Sequence, residues 1–200
     1  MADLISVSAN EIRSTVLKAC VGCRVERGVA SEIADAVALV GSHGIDLSSD
    51  LVGALDAFPA ATGKHAQWLK HEDGGCSAER AHVLIDGPSM VDFCMLYGRA
   101  TAMLDSGSLL LAVALMRSVG SARIGDGIIE PLSPARLTEP NVPVEVCLVA
   151  EGGTSLTAGG ERPHVNAEAW EHLKLHAAKI LVPADASNLA DAGAGTTDND

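Results

Sequence analysis

The chain has 200 residues, enough for one well-buried core and within the usual size of a single domain. Its formal net charge of −12, from 14 basic against 26 acidic side chains, argues against nucleic acid and anionic membrane surfaces, whose phosphates need Lys and Arg for neutralisation. With 48% apolar residues but only two Trp, two Phe and one Tyr, a packed interior must be filled by aliphatic side chains and alanine.

Met1-Ala2-Asp3-Leu4 shows no basic region followed by an apolar stretch, so no export signal is read and a cytoplasmic protein is expected. Ser8 and Glu11 have capping-box spacing, and Ile12, Val16 and Ala19 follow at helical intervals, which predicts a helix over about residues 9 to 21. Val29, Ile33, Ala36, Val37 and Val40 form one apolar stripe of a second helix, with Glu32 and Asp35 facing away and Gly41 and Gly44 as its stop. Leu47, Leu51 and Leu55 predict a third, capped by Ser48 or Ser49 and ended before Pro59. The first 59 residues thus read as a helical hairpin or three-helix unit.

Residues 60 to 76 are polar and Gly-rich and read as a surface loop or short helix. A short helix is expected near Ala78 to Ile85, after which Gly87-Pro88 turns the chain into a strand from Val91 to Tyr97. Leu109 to Met116 is the longest uncharged apolar run, far short of the roughly 20 residues a bilayer needs, and reads best as a buried strand. Ile124-Gly125-Asp126-Gly127-Ile128 has a hairpin signal, and Val142 to Val149 alternates at period two. Pro131, Pro134 and Pro140 break the connections, favouring a small antiparallel or mixed sheet over repeated strand-helix-strand units. Gly152-Gly153 and Gly159-Gly160 read as turns. Asn166 caps a last helix with Trp170, Leu173, Ala177 and Ile180 on its buried face. The expected fold is α+β in one domain over 1–200: helices over 1–59, sheet over 77–160, and a C-terminal helix with an ordered tail over 166–200.

The pattern from Ser8 to Ile45, with Lys18-Ala19, Gly28, Ala30, Glu32 and Ala34, and the closing run from Trp170 through Pro183-Ala184 and Ser187 to Gly193-Ala194-Gly195 and Asp198-Asn199-Asp200 resemble a bacterial family of about 200 residues known only as a domain of unknown function. The resemblance implies no activity, but it implies that the tail is ordered where its composition alone reads as disordered. Where that family has an acid and a serine-arginine pair, this chain has Asp185-Ala186-Ser187-Asn188, without the basic residue. A second resemblance, of Ser42-His43-Gly44 after a helical pair, is to the amino-terminal helices of malate and sulfolactate type nicotinamide-dependent dehydrogenases. The remaining motifs of such enzymes are absent, and a helical hairpin with a glycine stop is common, so it is read as coincidence.

The tail supplies the candidate ligand-binding residues: Asp185 and Ser187, Gly193 and Gly195 as turns, and Asp198 and Asp200, whose oxygens could hold a hard cation if the tail folds back. Glu168, His172 and His176 share one face of the last helix as a metal site requires, but that face lies opposite Trp170 and reads as a solvated stripe, so no metal is assigned. Cys20-Val21-Gly22-Cys23 has the spacing of half a zinc or redox site with no second half, and the five scattered cysteines read as reduced thiols. His65, His71, Glu72 and Asp73 read as a polar loop. No Gly-x-Ser-x-Gly elbow or phosphate loop is present, so catalytic residues and cofactor stay unassigned. The leading expectation is a small-molecule-binding or accessory protein of cytoplasmic metabolism; the alternatives are a small enzyme acting on an organic acid, or a non-catalytic subunit with a protein partner.

Overall fold

A computed structural model describes residues 3–126, 130–134, 137, 144–151 and 156–180. Strand β1 (Leu4–Ser6) leads into three helices, α1 (Ala9–Gly22), α2 (Arg27–Gly41) and α3 (Ser48–Ala61). Strands β2 (Leu69–Lys70) and β3 (Cys76–Ala81) follow, then α4 (Val83–Tyr97), β4 (Arg99–Leu104) and α5 (Gly107–Met116). Strands β5 (Ser121–Ile124), β6 (Glu130–Pro131), β7 (Val144–Val149) and β8 (His164–Asn166) precede α6 (Ala167–Ala178). The architecture is α+β: helices at both ends around a mixed sheet.

Local chemistry sets the outer helices. Ser8 Oγ accepts the Glu11 N–H at 3.1 Å while the Glu11 carboxylate accepts the Ser8 N–H at 2.6 Å, closing the capping box that starts α1. Asn166 Oδ1 accepts the Ala169 N–H at 2.9 Å and starts α6. Ile12, Val16 and Ala19 are buried where α1 packs on α2 and α6. Between α1 and α2, Cys20 and Val25 close the turn.

Six strands form one sheet in the order β2-β3-β4-β7-β5-β6, and β1 pairs β8 in a separate antiparallel ribbon. Only β3 and β4 are parallel, joined by α4 as a crossover; the other neighbours are antiparallel. The register is set by period two. Ala100, Ala102 and Leu104 of β4 alternate toward the core, and Ala100 stands opposite Leu148 and Ala102 opposite Val146. Helices α4 and α5 cover that face.

Several expectations are overturned in the middle of the chain. Cys76 to Ala81 is a strand, not the start of a helix, and α4 runs unbroken from Val83 through Pro88 to Tyr97, where a turn and a strand were expected. Gly98, with φ of 83°, is what stops it, a conformation that a side chain would strain. Leu109 to Met116 is helical. From Leu109 to Leu115 every residue is buried, so α5 has no polar face to betray a 3.6-residue period. Helix α3 continues past Pro59 to Ala61, and its first turn is held by Asp46, whose carboxylate accepts the Ser48 N–H at 2.9 Å, rather than by Ser48 or Ser49. Glu32 does not face away: Arg117 binds it and Asp92, tying the end of α5 to α2 and α4. The hairpin after Ile124 is present as β5 paired with β6. Ile180, placed on the buried face of α6, is 40% exposed because the helix ends at Ala178.

Candidate functional site

A cavity of about 370 Å³ lies between the end of α3 and the carboxyl ends of the parallel strands β3 and β4. Ala57, Ala60 and Ala61 make one wall, and Met103 and Leu104 the other. Its polar lining is Lys64, Arg80, His82 and Asp105. The position follows from topology, since a crossover between parallel strands leaves a crevice beyond their carboxyl ends. A bulge aims one of these groups. Ala78 pairs with Ala102 but Ala81 with Leu104, so β3 carries one extra residue there, and Glu79 and Arg80 are both exposed.

His82 and Asp105 are fixed by the start of α4. His82 Nδ1 accepts the Leu84 N–H at 3.2 Å, and Asp105 Oδ1 accepts the Val83 N–H at 2.8 Å. The Ile85 and Asp86 N–H groups both bond the His82 carbonyl, at 2.9 and 2.8 Å. The amides of the first turn are therefore spent within the protein, and an anion in this cavity would have to be held by side chains. Buried Asp86 anchors the loop on either side, accepting the His82 N–H at 3.0 Å and the Ala66 N–H at 3.1 Å.

With Nδ1 occupied as an acceptor, a neutral His82 carries its proton on Nε2. That atom lies 3.0 Å from Asp105 Oδ2. The separation is that of an ion pair, yet the groups are not aligned for a hydrogen bond, and both atoms are buried without a hydrogen-bond partner among the described residues. A hydrogen bond weakens steeply off its axis, so this close approach satisfies neither atom. Both atoms are covered by protein, so a bound molecule reaches this donor and acceptor only if the two side chains part. At the mouth, Lys64 and Arg80 have no carboxylate within ion-pair distance among the described residues.

The metal candidates of α6 do not come together. Glu168 and His172 are exposed, whereas His176 is buried, because it turns into the seam between α6, α1 and α3. Its Nε2 lies 3.1 Å from Asp56 Oδ1, and its Nδ1 lies 3.1 Å from Cys23 Sγ and 2.8 Å from Lys179 Nζ. Burial lowers the His176 pKa below its ordinary value, aided by Lys179 and opposed by Asp56. Burial also raises the Cys23 thiol, with Lys179 pulling the other way. Cys20, the other half of the Cys-x-x-Cys pair, is fully buried and pushed up to about 12.

The loop cluster is spread over separate partners. His71 Nε2 meets Ser77 Oγ at 2.8 Å, Asp73 accepts from Arg99 at 2.9 Å, and His65 stands 3.9 Å from Asp86. Ser42 and His43 clamp the segment before β8: Ser42 Oγ accepts the Gly159 N–H at 2.8 Å, and His43 Nε2 donates to the Thr157 carbonyl at 2.8 Å. Asp185, Ser187, Gly193, Gly195, Asp198 and Asp200 lie outside the described residues. Sequence reasoning did not single out Lys64, Arg80, His82 or Asp105. The spacing of His82 and Asp86, four apart at a helix start, is the one local signal, and the approach of Asp105 depends on the crossover.

Among the described residues no helix is long and apolar enough to cross a membrane. A search of the curated proteins finds no significant match. Among solved structures, the chain is similar to malate dehydrogenase from Entamoeba histolytica at 10% identity and a TM-score of 0.42, over 62% of this chain and 39% of that one. It is similar to malate dehydrogenase from Pyrococcus horikoshii OT3 at 11% identity and a TM-score of 0.43, over 64% of this chain and 45% of that one. The chain spans less than half the length of either, and likeness at this level bears on neither fold nor function. Residues 7–104, from the end of β1 to the last residue of β4, match the family described as Protein of unknown function (DUF3726), and it is this family that the chain resembles.

Proposed function

We propose that the protein binds a small organic anion in the cavity between α3 and the ends of β3 and β4, as a small-molecule-binding protein of cytoplasmic metabolism. One observation carries the reading: two cations without carboxylate partners among the described residues, Lys64 and Arg80, line one cavity together with His82 and Asp105. In a chain of net charge −12, cations left without acids beside an apolar hollow favour a carboxylate or phosphate ester on the ligand. The alanine wall favours a ligand of a few carbons. Five free cysteines support a reducing compartment, and the acidic balance speaks against a nucleic-acid partner.

The test is thermal unfolding with a panel of small carboxylates, hydroxy acids and phosphate esters. A true ligand at about one hundred times its Kd stabilises by about 2.7 kcal/mol, and Arg80→Gln or Lys64→Gln should weaken it about tenfold, the size of a charged hydrogen bond. A panel without effect, or stabilisation indifferent to both substitutions, would overturn the reading. The His82–Asp105 pair favours a second reading, a small enzyme acting on an organic acid with Nε2 as proton donor. Turnover of a bound compound, lost in His82→Gln, separates the two.

A further inference from the structure

Away from the cavity, three helices bring a thiol, an imidazole and a carboxylate into line. Cys23 ends α1, His176 lies in the last turn of α6 and Asp56 on α3, so 153 positions separate the thiol from the imidazole it faces. The order of contact is Cys23 Sγ, 3.1 Å, His176 Nδ1; then His176 Nε2, 3.1 Å, Asp56 Oδ1. A carboxylate only accepts, so the Nε2 proton points at Asp56, and the Nδ1 lone pair faces both the thiol and Lys179 Nζ, 2.8 Å away, which must swing off it before it can take a proton. This is the relation of nucleophile, base and orienting acid that activated thiols use.

The surroundings select the chemistry. The Cys23 N–H is spent on the Ala19 and Cys20 carbonyls and the Arg24 N–H on the Val21 carbonyl. The amides at the thiol are thus not free to receive an oxyanion, which disfavours acyl transfer. Attack on sulfur builds no oxyanion and needs only a thiolate and a leaving thiolate. Cys23 is half-buried, whereas Cys20, Cys76, Cys94 and Cys147 are buried.

We propose that Cys23 is a reactive thiol that exchanges with low-molecular-weight disulfides, His176 taking its proton and Asp56 positioning the imidazole. In the step, the Cys23 proton passes to His176 Nδ1 and Sγ attacks one sulfur of the disulfide. A new S–S bond forms as the old one breaks, and the departing thiolate takes the proton from the imidazolium, so one disulfide is consumed, one mixed disulfide made, and one thiol released. Lys179 Nζ, 2.8 Å from Nδ1 and 3.9 Å from Sγ, moves from the imidazole to the sulfur in this step, freeing the base and stabilising the thiolate as it forms. Cys20, its thiol pushed up to about 12 by burial, is a slow resolving group because the thiolate is the attacking form, so the mixed disulfide accumulates.

The thiol rests protonated and the imidazole neutral at neutral pH, since burial raises the one and lowers the other. The charged and titrating groups that bear on the pair are Cys20 from α1, Asp56 from α3, and His172 and Lys179 from α6 and its end. The exchange rate should therefore climb as His176 loses its proton, below the ordinary histidine value of about 6.5.

The probe is 5,5′-dithiobis(2-nitrobenzoic acid), followed by release of its thiolate from the native full-length protein between about pH 5 and 8, the range in which histidine titrates. One thiol should react in a fast phase that Cys23→Ser abolishes. His176→Gln should slow that phase about tenfold or more, the low end of general-base contributions. Asp56→Asn should also slow it and move the rise to lower pH, because Asp56 holds the imidazole pKa up. A fast phase that survives in Cys23→Ser, or a Cys23 rate unchanged in both other variants, would overturn the proposal. If His176→Gln loses its helical circular dichroism, Asp56→Asn decides alone, since that carboxylate is 58% exposed and its loss leaves the core intact.

Discussion

A Cβ placed on Gly22 would run into the backbone carbonyl of His176. This glycine is what lets the end of α1 touch the last turn of α6, and it sets the separation of the residue after it, Cys23, from the imidazole. Gly22→Ala would gain about 0.5 to 1 kcal/mol of helix propensity, but the obstacle is backbone and cannot rotate away. Steric cost wins, and a net loss of about 1 to 2 kcal/mol is expected. Urea unfolding checks it; a midpoint at or above wild type would mean that the two helices separate there at no cost.

Asp50 supplies a pH test. Burial, with Asp46 adding repulsion, raises its pKa to about 6. The folded value stands above the unfolded one of about 3.9, so the fold tolerates the protonated form better. Its contribution is full below the unfolded value and is lost as pH rises through 6. Asp50→Asn should therefore stabilise by about 1 to 2 kcal/mol at pH 7.5, after allowance for solvent screening, and by little at pH 4. Equal effects at the two pH values would refute the burial argument.

Arg117 holds Glu32 and Asp92 together while Glu32 Oε2 stays buried without a hydrogen-bond partner among the described residues. Arg117→Leu should cost about 2 to 3 kcal/mol, most of it the charge left on Glu32. Adding Glu32→Gln should recover part of that loss, because the amide is cheaper to bury. The double-mutant cycle measures this coupling; strictly additive losses would count against it.

Trp170, 7% exposed, fills the seam under α6. Trp170→Ala should cost about 3 to 5 kcal/mol, read as a fall in Tm. A mutant that melts like wild type would mean that α6 is not packed through this ring.

The outer helices were legible because each is amphipathic and bounded by local chemistry: Ser8 with Glu11, the stripe from Val29 to Val40, and Asn166 ahead of Trp170. The middle was not, since the same residues carry no such contrast. Helix α5 is buried on all sides, and an apolar run without a polar face reads equally as strand. Pro88 and Gly87 mark a turn by propensity, yet both are buried inside α4, where packing outweighs them. Strand β4 does alternate, but with Ala100 and Ala102 on its inner face it looks like a weak strand former. The cavity shared that fate. His82 and Asp105 meet only because a parallel crossover closes, and the burial of His176 comes from α1 and α3 rather than from α6 itself, which is why its stripe read as solvated.

The ribbon of β1 with β8, and the packing of α6 on α1, bind the stretch from Leu4 to Gly22 to the last described residues. On the ribosome, chain order then runs against structure. When Leu104 has emerged, Ile12, Val16 and Ala19 still lack α6, and the inner face of β4 has no β7 beside it. The stretch that matches the family model would leave the exit tunnel with its apolar surfaces open, and would need the remaining chain, or a chaperone, to cover them before it could settle.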